Sequence, residues 1–225
     1  MNPSSYYDLD GIEAKVKDGE HRDVIGGLWD EIGDHQMRFL IARGLKPNHN
    51  LLDIGCGALR LGARAINWLD SDRYFGTDIS RALIEAGRDK ELTDELRAKA
   101  PSANFNVSDD FDFEYLSVEV DFAIAQSVFT HLPINHLRRC LAKLAPHVRR
   151  GGCLFITYFE CPEDADIQTP LPHTPGGITT YDFKDPYHYR LSDLEWAVDR
   201  SPWSLEPIGA WSHPRDQRIA AYRRL

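Results

Sequence analysis

Cysteine is scarce. The 225 residues include four, Cys56, Cys140, Cys153 and Cys161, and no CxxC pair. That spacing excludes a disulfide framework of the secreted kind and a structural zinc site built on paired thiolates. Basic charge is scarce too: 26 Lys and Arg stand against 35 Asp and Glu, a net charge of −9. The deficit is spread, with −3 in residues 1–50, −2 in 51–150 and −4 in 151–225, so no basic arm hides behind the average. A phosphate backbone or an anionic bilayer needs a basic face, so neither nucleic acid nor a membrane surface is the expected partner. Long apolar runs are missing as well. No stretch nears the ~20 residues needed to span a bilayer, and the opening MNPSSYYDLDGIEAKVKDGEHRD has no apolar h-region. These absences predict a soluble, cytoplasmic protein without internal repeats or low-complexity tracts.

What is present is ample apolar material, 42% of the chain with 11% aromatic, enough for the core of one domain. Residues 24–43 place Leu28, Ile32, Leu40 and Ile41 on a helical stripe closed by Gly44. From about residue 50 to 160, strand and helix patterns alternate. Strands are predicted at Asn50–Ile54, Arg73–Asp78, Phe105–Val107, Val120–Ala125 and Cys153–Phe159, the fourth apolar enough to be buried on both faces. Ser80 is placed to cap a long helix, Asn135–Val148 forms another, and Ser192 with Glu195 opens a third. Two further strands, about 204–211 and 218–223, close the chain. Such alternation predicts an α/β domain, a doubly wound, mostly parallel sheet with helices on both faces and a ligand at the carboxyl ends of its strands. The expected organisation is an N-terminal helical cap over 1–48, a cofactor-binding core over 49–160 and a substrate loop with closing strands over 161–225.

The sharpest local pattern is Leu51-Leu52-Asp53-Ile54-Gly55-Cys56-Gly57. A strand ending in Gly-x-Gly at the mouth of a helix lets a ligand lie on bare backbone, because no Cβ holds it off. A tight strand-to-helix turn could need the same glycines for packing. Asp78 adds to the ligand reading: it lies 21 residues past Gly57 at the next strand's tip, where a carboxylate can accept both hydroxyls of a ribose. Asp109 and Asp110 occupy the third tip, within reach of an adenine amino group. Arg60 fills the place where a dinucleotide fingerprint needs a third small residue, and Gly62 falls two places late. A ribose-bearing cofactor without a pyrophosphate is therefore favoured over NAD. A nucleotide-dependent oxidoreductase or epimerase remains the alternative, and a catalytically silent cofactor-binding module a third.

Five segments, Leu51–Gly57, Phe75–Ser80, Asn106–Asp110, Asp121–Pro133 and Gly151–Thr157, resemble in order and spacing the consecutive motifs of class I S-adenosylmethionine-dependent methyltransferases. The resemblance covers about residues 25–160. It implies a Rossmann-like sheet of seven strands, order 3-2-1-4-5-7-6 with the last antiparallel, and S-adenosylmethionine as cofactor. It also implies that Gly55 and Gly57 line the methionine part, with Asp53 holding the loop or, through water, the amino group. Asp78 would bind the ribose, Ile79 pack on the adenine, and Asp109 or Asp110 face its exocyclic nitrogen. Ala125 and Gln126 would offer backbone near the sulfonium. In this fold class an N-terminal helix often closes over the cofactor, so His35 or Gln36 is placed for the methionine carboxylate, with Arg60 as a competing partner.

Methyl transfer from a sulfonium needs an acceptor held in line at about 3 Å and, for a hydroxyl, a group to remove its proton. The fourth strand runs into Ala125-Gln126-Ser127-Val128, neither the Asn/Asp-Pro-Pro-Tyr tetrad of amide and adenine methylation nor the Pro-Cys of pyrimidine methylation. His131, just past that strand's tip, is the candidate general base, although a histidine there could equally orient its loop. Residues 168–190 are too long for a mere connection. Tyr181, Phe183, Tyr187, His188 and Tyr189 in it, with His213 and Arg215 beyond, are candidates to wall an acceptor pocket. No metal site is expected, since His173, His188 and His213 lack ligand spacing. The reading is methyl transfer to a small molecule, with a hydroxyl as acceptor and a sugar or secondary metabolite as substrate.

Overall fold

The computed structural model describes residues 4–174 and 176–225. Among the described residues there are ten strands: β1 (Leu51–Ile54), β2 (Tyr74–Asp78), β3 (Phe105–Val107), β4 (Val120–Ala125), β5 (Val148–Glu160), β6 (Leu171–His173), β7 (Ile178–Thr180), β8 (His188–Tyr189), β9 (Trp203–Ala210) and β10 (Arg218–Arg224). Eight α-helices accompany them: α1 (Leu9–Lys17), α2 (His21–Val24), α3 (Trp29–Ala42), α4 (Gly62–Trp68), α5 (Arg81–Ala86), α6 (Asp94–Lys99), α7 (Ile134–Leu144) and α8 (Leu191–Ala197). The main sheet has the order β3-β2-β1-β4-β5-β10-β9, with β8 added beside β5. In strand rank that is the expected 3-2-1-4-5-7-6, enlarged by one short strand. The chain divides into two compact units, Asp8–Ala123 and a second made of Ile124–Leu225 with the described N-terminal residues up to Tyr7.

In the first unit β1 is buried along its whole length and pairs in parallel with β2, Leu51 beside Tyr74 through Ile54 beside Thr77. β3 adds in parallel to the other edge of β2. Helix starts follow their caps: Asp8, Ser80 and Thr93 each accept a backbone N–H of the first turn of α1, α5 and α6. The helix expected over 24–43 is shorter, because Gly26, Gly27 and Leu28 take left-handed backbone that no helix continues. The long helix after Ser80 is likewise broken into α5, a π-helical turn over Gly87–Glu91, and α6. α1 is an element the sequence reading did not propose. Glu91, gripped by His21 Nε2 at 2.6 Å and by both arms of Arg22 at 2.8 and 2.6 Å, fastens the segment after α1.

In the second unit β5 is the long strand, antiparallel to β10 from Cys153–Arg223 to Tyr158–Arg218, and β9 extends β10. α7 buries Leu137, Cys140, Leu141 and Leu144 on one stripe. It ends at Leu144 rather than at Val148, which opens β5 instead. α8 starts two residues earlier than expected: the Arg190 N–H donates to the Asp193 carboxylate at 2.9 Å, so the capping pair is Arg190 with Asp193 rather than Ser192 with Glu195. The stretch 161–190 carries its own antiparallel hairpin, β6 with β7, pairing Leu171 with Thr180. All four cysteines are buried and free. Among the described residues no helix is long and apolar enough to cross a membrane.

Candidate active site

The glycine loop of the first unit is backbone-built. Gly55 and Gly57 both have positive φ, 71° and 52°, which most side chains avoid. The N–H groups of Gly55 and Cys56 are tied to the Thr77 carbonyl at 2.8 and 3.1 Å, which locks the loop to the end of β2. A Cβ on Gly57 would fall 2.8 Å from Ile25 Cγ2, so that glycine also serves packing. Asp78, at the tip of β2, receives the Gly57 N–H at 2.9 Å on one oxygen and the Ser80 N–H at 2.8 Å on the other. Burial raises its pKa, and those backbone donors work against the rise. The backbone donors of Gly57, Ser80 and Ile79 occupy part of the roughly four acceptor directions of a carboxylate, and a remaining direction can meet a ligand.

Asp53 is buried and accepts the Tyr74 hydroxyl at 2.7 Å. Burial pushes its pKa up to about 7, opposed by the Tyr74 hydroxyl and the Arg60 charge. Arg60 is buried, and its guanidinium donates to the carbonyls of Ile25 and Gly27 at 3.2 and 3.0 Å. It thereby fixes the segment ahead of α3. Gln36 on α3 is buried, and its amide oxygen has no hydrogen-bond partner among the described residues. Ile79 is half-buried, Asp109 exposed and Asp110 half-buried at the end of β3.

In the second unit the loop after β4 is held from several sides. Ser127 (φ 60°) donates its N–H to Thr157 Oγ1 at 2.7 Å. Thr130 Oγ1 donates back to the Ser127 carbonyl at 2.7 Å, and the Tyr187 N–H to the Thr130 carbonyl at 2.7 Å. The Tyr189 hydroxyl donates to the Leu132 carbonyl at 2.5 Å. Ala125 is fully buried. The Gln126 carboxamide lies 3.1 Å from each of Ser127 Oγ, Gln217 Oε1 and His213 Nε2. His213 Nδ1 accepts the Arg215 N–H at 3.1 Å, and Gln126 Nε2 donates to Gln217 Oε1 and Ser127 Oγ.

His131 carries the arrangement the sequence could not show. Its Nδ1 lies 2.5 Å from Asp185 Oδ1, and the Tyr6 ring stands edge-on at 4.8 Å. Asp185 Oδ2 accepts the Ser4 hydroxyl at 2.7 Å and the Ser5 N–H at 3.3 Å. Burial alone would raise the Asp185 carboxyl, but His131, Ser4 and Ser5 together hold it below the usual carboxylate range.

Of the proposed acceptor walls, Tyr181 is half-buried under the Lys184 ammonium, 4.0 Å from its ring centre. His188 is 1% exposed, bonded to Thr180 Oγ1 at 2.9 Å and to the Ile167 carbonyl at 2.8 Å. His188, Tyr189 and His213 thus lie beneath the surface. A cavity of about 190 Å³ is lined by Glu160, Pro162, Leu171, Pro172, His173, Asp216 and Arg218. In it Arg218 pairs with Glu160 at 3.2 Å, and Asp216 lies 3.6 Å from His173 Nδ1.

The architecture is Rossmann-like with a glycine loop at the end of β1, and comparison narrows the class. Residues 52–154 match a family model described as "Methyltransferase domain". A magnesium protoporphyrin IX methyltransferase of Synechocystis PCC 6803, solved with bound SAM, superposes with a TM-score of 0.59 at 18% identity, covering 86% of this chain and 81% of that one. An amino pentose methyltransferase of Micromonospora echinaspora, also SAM-bound, gives 0.58 at 16%, covering 89% and 93%. A glycopeptide N-methyltransferase complexed with S-adenosyl-L-homocysteine gives 0.61 at 15%, covering 86% and 90%. The structural likenesses show the fold. The domain match over residues 52–154 adds a likeness to methyltransferases, among them structures solved with SAM or S-adenosyl-L-homocysteine.

Proposed function

We propose that the protein methylates a hydroxyl group of a small-molecule acceptor, a sugar or secondary metabolite, with His131 as general base. The observation that carries this reading is the His131 ring itself. One nitrogen is tied to a carboxylate, and the other makes no hydrogen bond among the described residues, with the side chain 28% exposed. A histidine so held has one basic nitrogen to offer.

The cofactor fits the groups present. Bare backbone at Gly55 and Gly57, the pinned Asp78 carboxylate and the unpartnered Gln36 amide oxygen suit a ligand with a ribose and an amino-acid end. When bound, S-adenosylmethionine supplies an electrophilic methyl group on a good leaving group. Asp78 would hold the ribose hydroxyls, Ile79 and Asp109 or Asp110 would meet the adenine, and Asp53 would back the loop at the methionine end. His131 takes the hydroxyl proton at Nε2. Tyr181 and Arg215 flank the acceptor on ground set by His188, Tyr189 and His213. A net charge of −9 supports a small acceptor over a polyanion.

The carboxylates of Glu160 and Asp216 around the 190 Å³ cavity favour a second reading, an acceptor that carries an amino group. Label transfer from methyl-labelled S-adenosylmethionine to a panel of hydroxylated and aminated sugars and phenols tests both. The expected result is label on oxygen that His131→Ala abolishes; label on nitrogen alone, unaffected by that change, would overturn the hydroxyl reading.

A further inference from the structure

The geometry points to Asp185 as the positioning residue for His131, and to the N-terminal residues Ser4 and Ser5 as what decides which way that carboxylate faces. The inference rests on the reading of His131 as a base and deepens it. A carboxylate only accepts, so at 2.5 Å from Asp185 Oδ1 the His131 Nδ1 must carry the ring proton, which leaves the lone pair of the neutral ring on Nε2. Free imidazole leans toward the opposite tautomer, and the partner of one nitrogen sets the state of the other. Asp185 thus chooses the nitrogen that can act as base. The proton taken from an acceptor hydroxyl ends on Nε2, the Nδ1–H bond is kept, and Asp185 stays ionised beside the imidazolium.

The carboxylate is itself oriented. Its second oxygen receives the Ser4 hydroxyl at 2.7 Å and the Ser5 N–H at 3.3 Å. Ser4 is 6% exposed, and Tyr6 sets its ring edge-on to His131 at 4.8 Å. Ser4 and Ser5 thus bond to one acid 181 and 180 positions away, and Tyr6 meets its His131 partner. An exposed terminus held only by surface packing would not place a hydroxyl, a backbone N–H and an aromatic edge on the same His–Asp pair.

This orientation makes Asp185→Asn a directed test rather than a simple deletion. The Ser5 N–H can only donate, so the amide oxygen of the variant stays toward Ser5 and its NH2 turns to His131. An NH2 cannot accept, so Nδ1 gives up its proton and Nε2 becomes the protonated nitrogen. The ring is then in the wrong state for a base.

Ring nitrogen shifts of His131 in the 15N-labelled full chain, assigned by their loss in His131→Gln, read the tautomer directly. The wild type is expected to show a protonated Nδ1 and a bare Nε2 in the neutral ring. Asp185→Asn is expected to reverse them, with calorimetric affinity for S-adenosylhomocysteine within twofold of wild type and methyl transfer lowered at least a hundredfold. Ser4→Ala, which keeps the Ser5 N–H, is expected to hold the wild-type tautomer. A bare Nδ1 in the wild-type protein would overturn the inference even if the variant failed to fold. So would an unchanged tautomer in a folded Asp185→Asn. A reversed tautomer with undiminished transfer would uphold the pairing and overturn the base assignment, which separates the two failures.

Discussion

The two units of this chain build function from different materials. In Asp8–Ala123 the decisive groups are backbone: two glycines at positive φ, and N–H donors that pin Asp78 from Gly57 and Ser80. In Ile124–Leu225 with the N-terminal residues, they are side chains in pairs and networks, His131 with Asp185 and Gln126 with His213 and Gln217. Backbone geometry is a general solution for a ribose-bearing ligand and tolerates wide change elsewhere. Side-chain pairs can be exchanged singly, so they are where selectivity for an acceptor can be tuned. On the proposed reading, cofactor affinity belongs to the first unit and proton removal to the second.

The largest expected effect breaks that comparison on the second side. His131→Ala should lower methyl transfer by on the order of 10²–10⁴, the usual worth of a positioned base, while calorimetry shows S-adenosylhomocysteine affinity within twofold of wild type. On the first side, Asp78→Ala should weaken that affinity by roughly 1–3 kcal/mol, as for loss of a hydrogen bond to a charged group.

Asp53 offers a pH test within the first unit. Its pKa in the folded chain is raised to about 7, so its contribution to stability is present below the unfolded value near 4 and is lost as pH rises through about 7. Asp53→Asn removes that loss. Thermal melting of the ligand-free protein should show the variant more stable at pH 8, by on the order of 4 kcal/mol at most, with the gain vanishing toward pH 4. A constant difference across that range would sink the burial account. The smallest effect belongs to Tyr189→Phe. It deletes the hydroxyl bond to the Leu132 carbonyl and should cost about 1 kcal/mol in chemical denaturation, leaving S-adenosylhomocysteine affinity unchanged.

Legibility in the sequence follows the same division. Gly57 and Asp78 are 21 residues apart, at the ends of neighbouring parallel strands, and the spacing of one strand–helix–strand unit predicts their meeting. The parallel, doubly wound class of the sheet follows from the alternating periodicity, while its strand order is what the resemblance of the five motif segments implies. His131 and Asp185 are separated by 54 residues, Ser4 and Asp185 by 181. No periodic pattern couples such positions, so Asp185 lay unremarked among the aromatics of its loop. His188 and Tyr189 were noticed for their chemistry, yet both are buried and hydrogen-bonded to loop carbonyls. Sequence shows that a side chain is capable of a role, and only packing shows whether it is already engaged. The hairpin of β6 and β7 escaped notice for a related reason: strands of three residues are too short to carry a period.

The division of labour is tested most directly by measuring S-adenosylhomocysteine binding and methyl transfer side by side in Asp78→Ala and His131→Ala. The account predicts that the first variant loses affinity and that the second keeps affinity and loses transfer. Equal loss of both properties in both variants, or full affinity retained in Asp78→Ala, would contradict it.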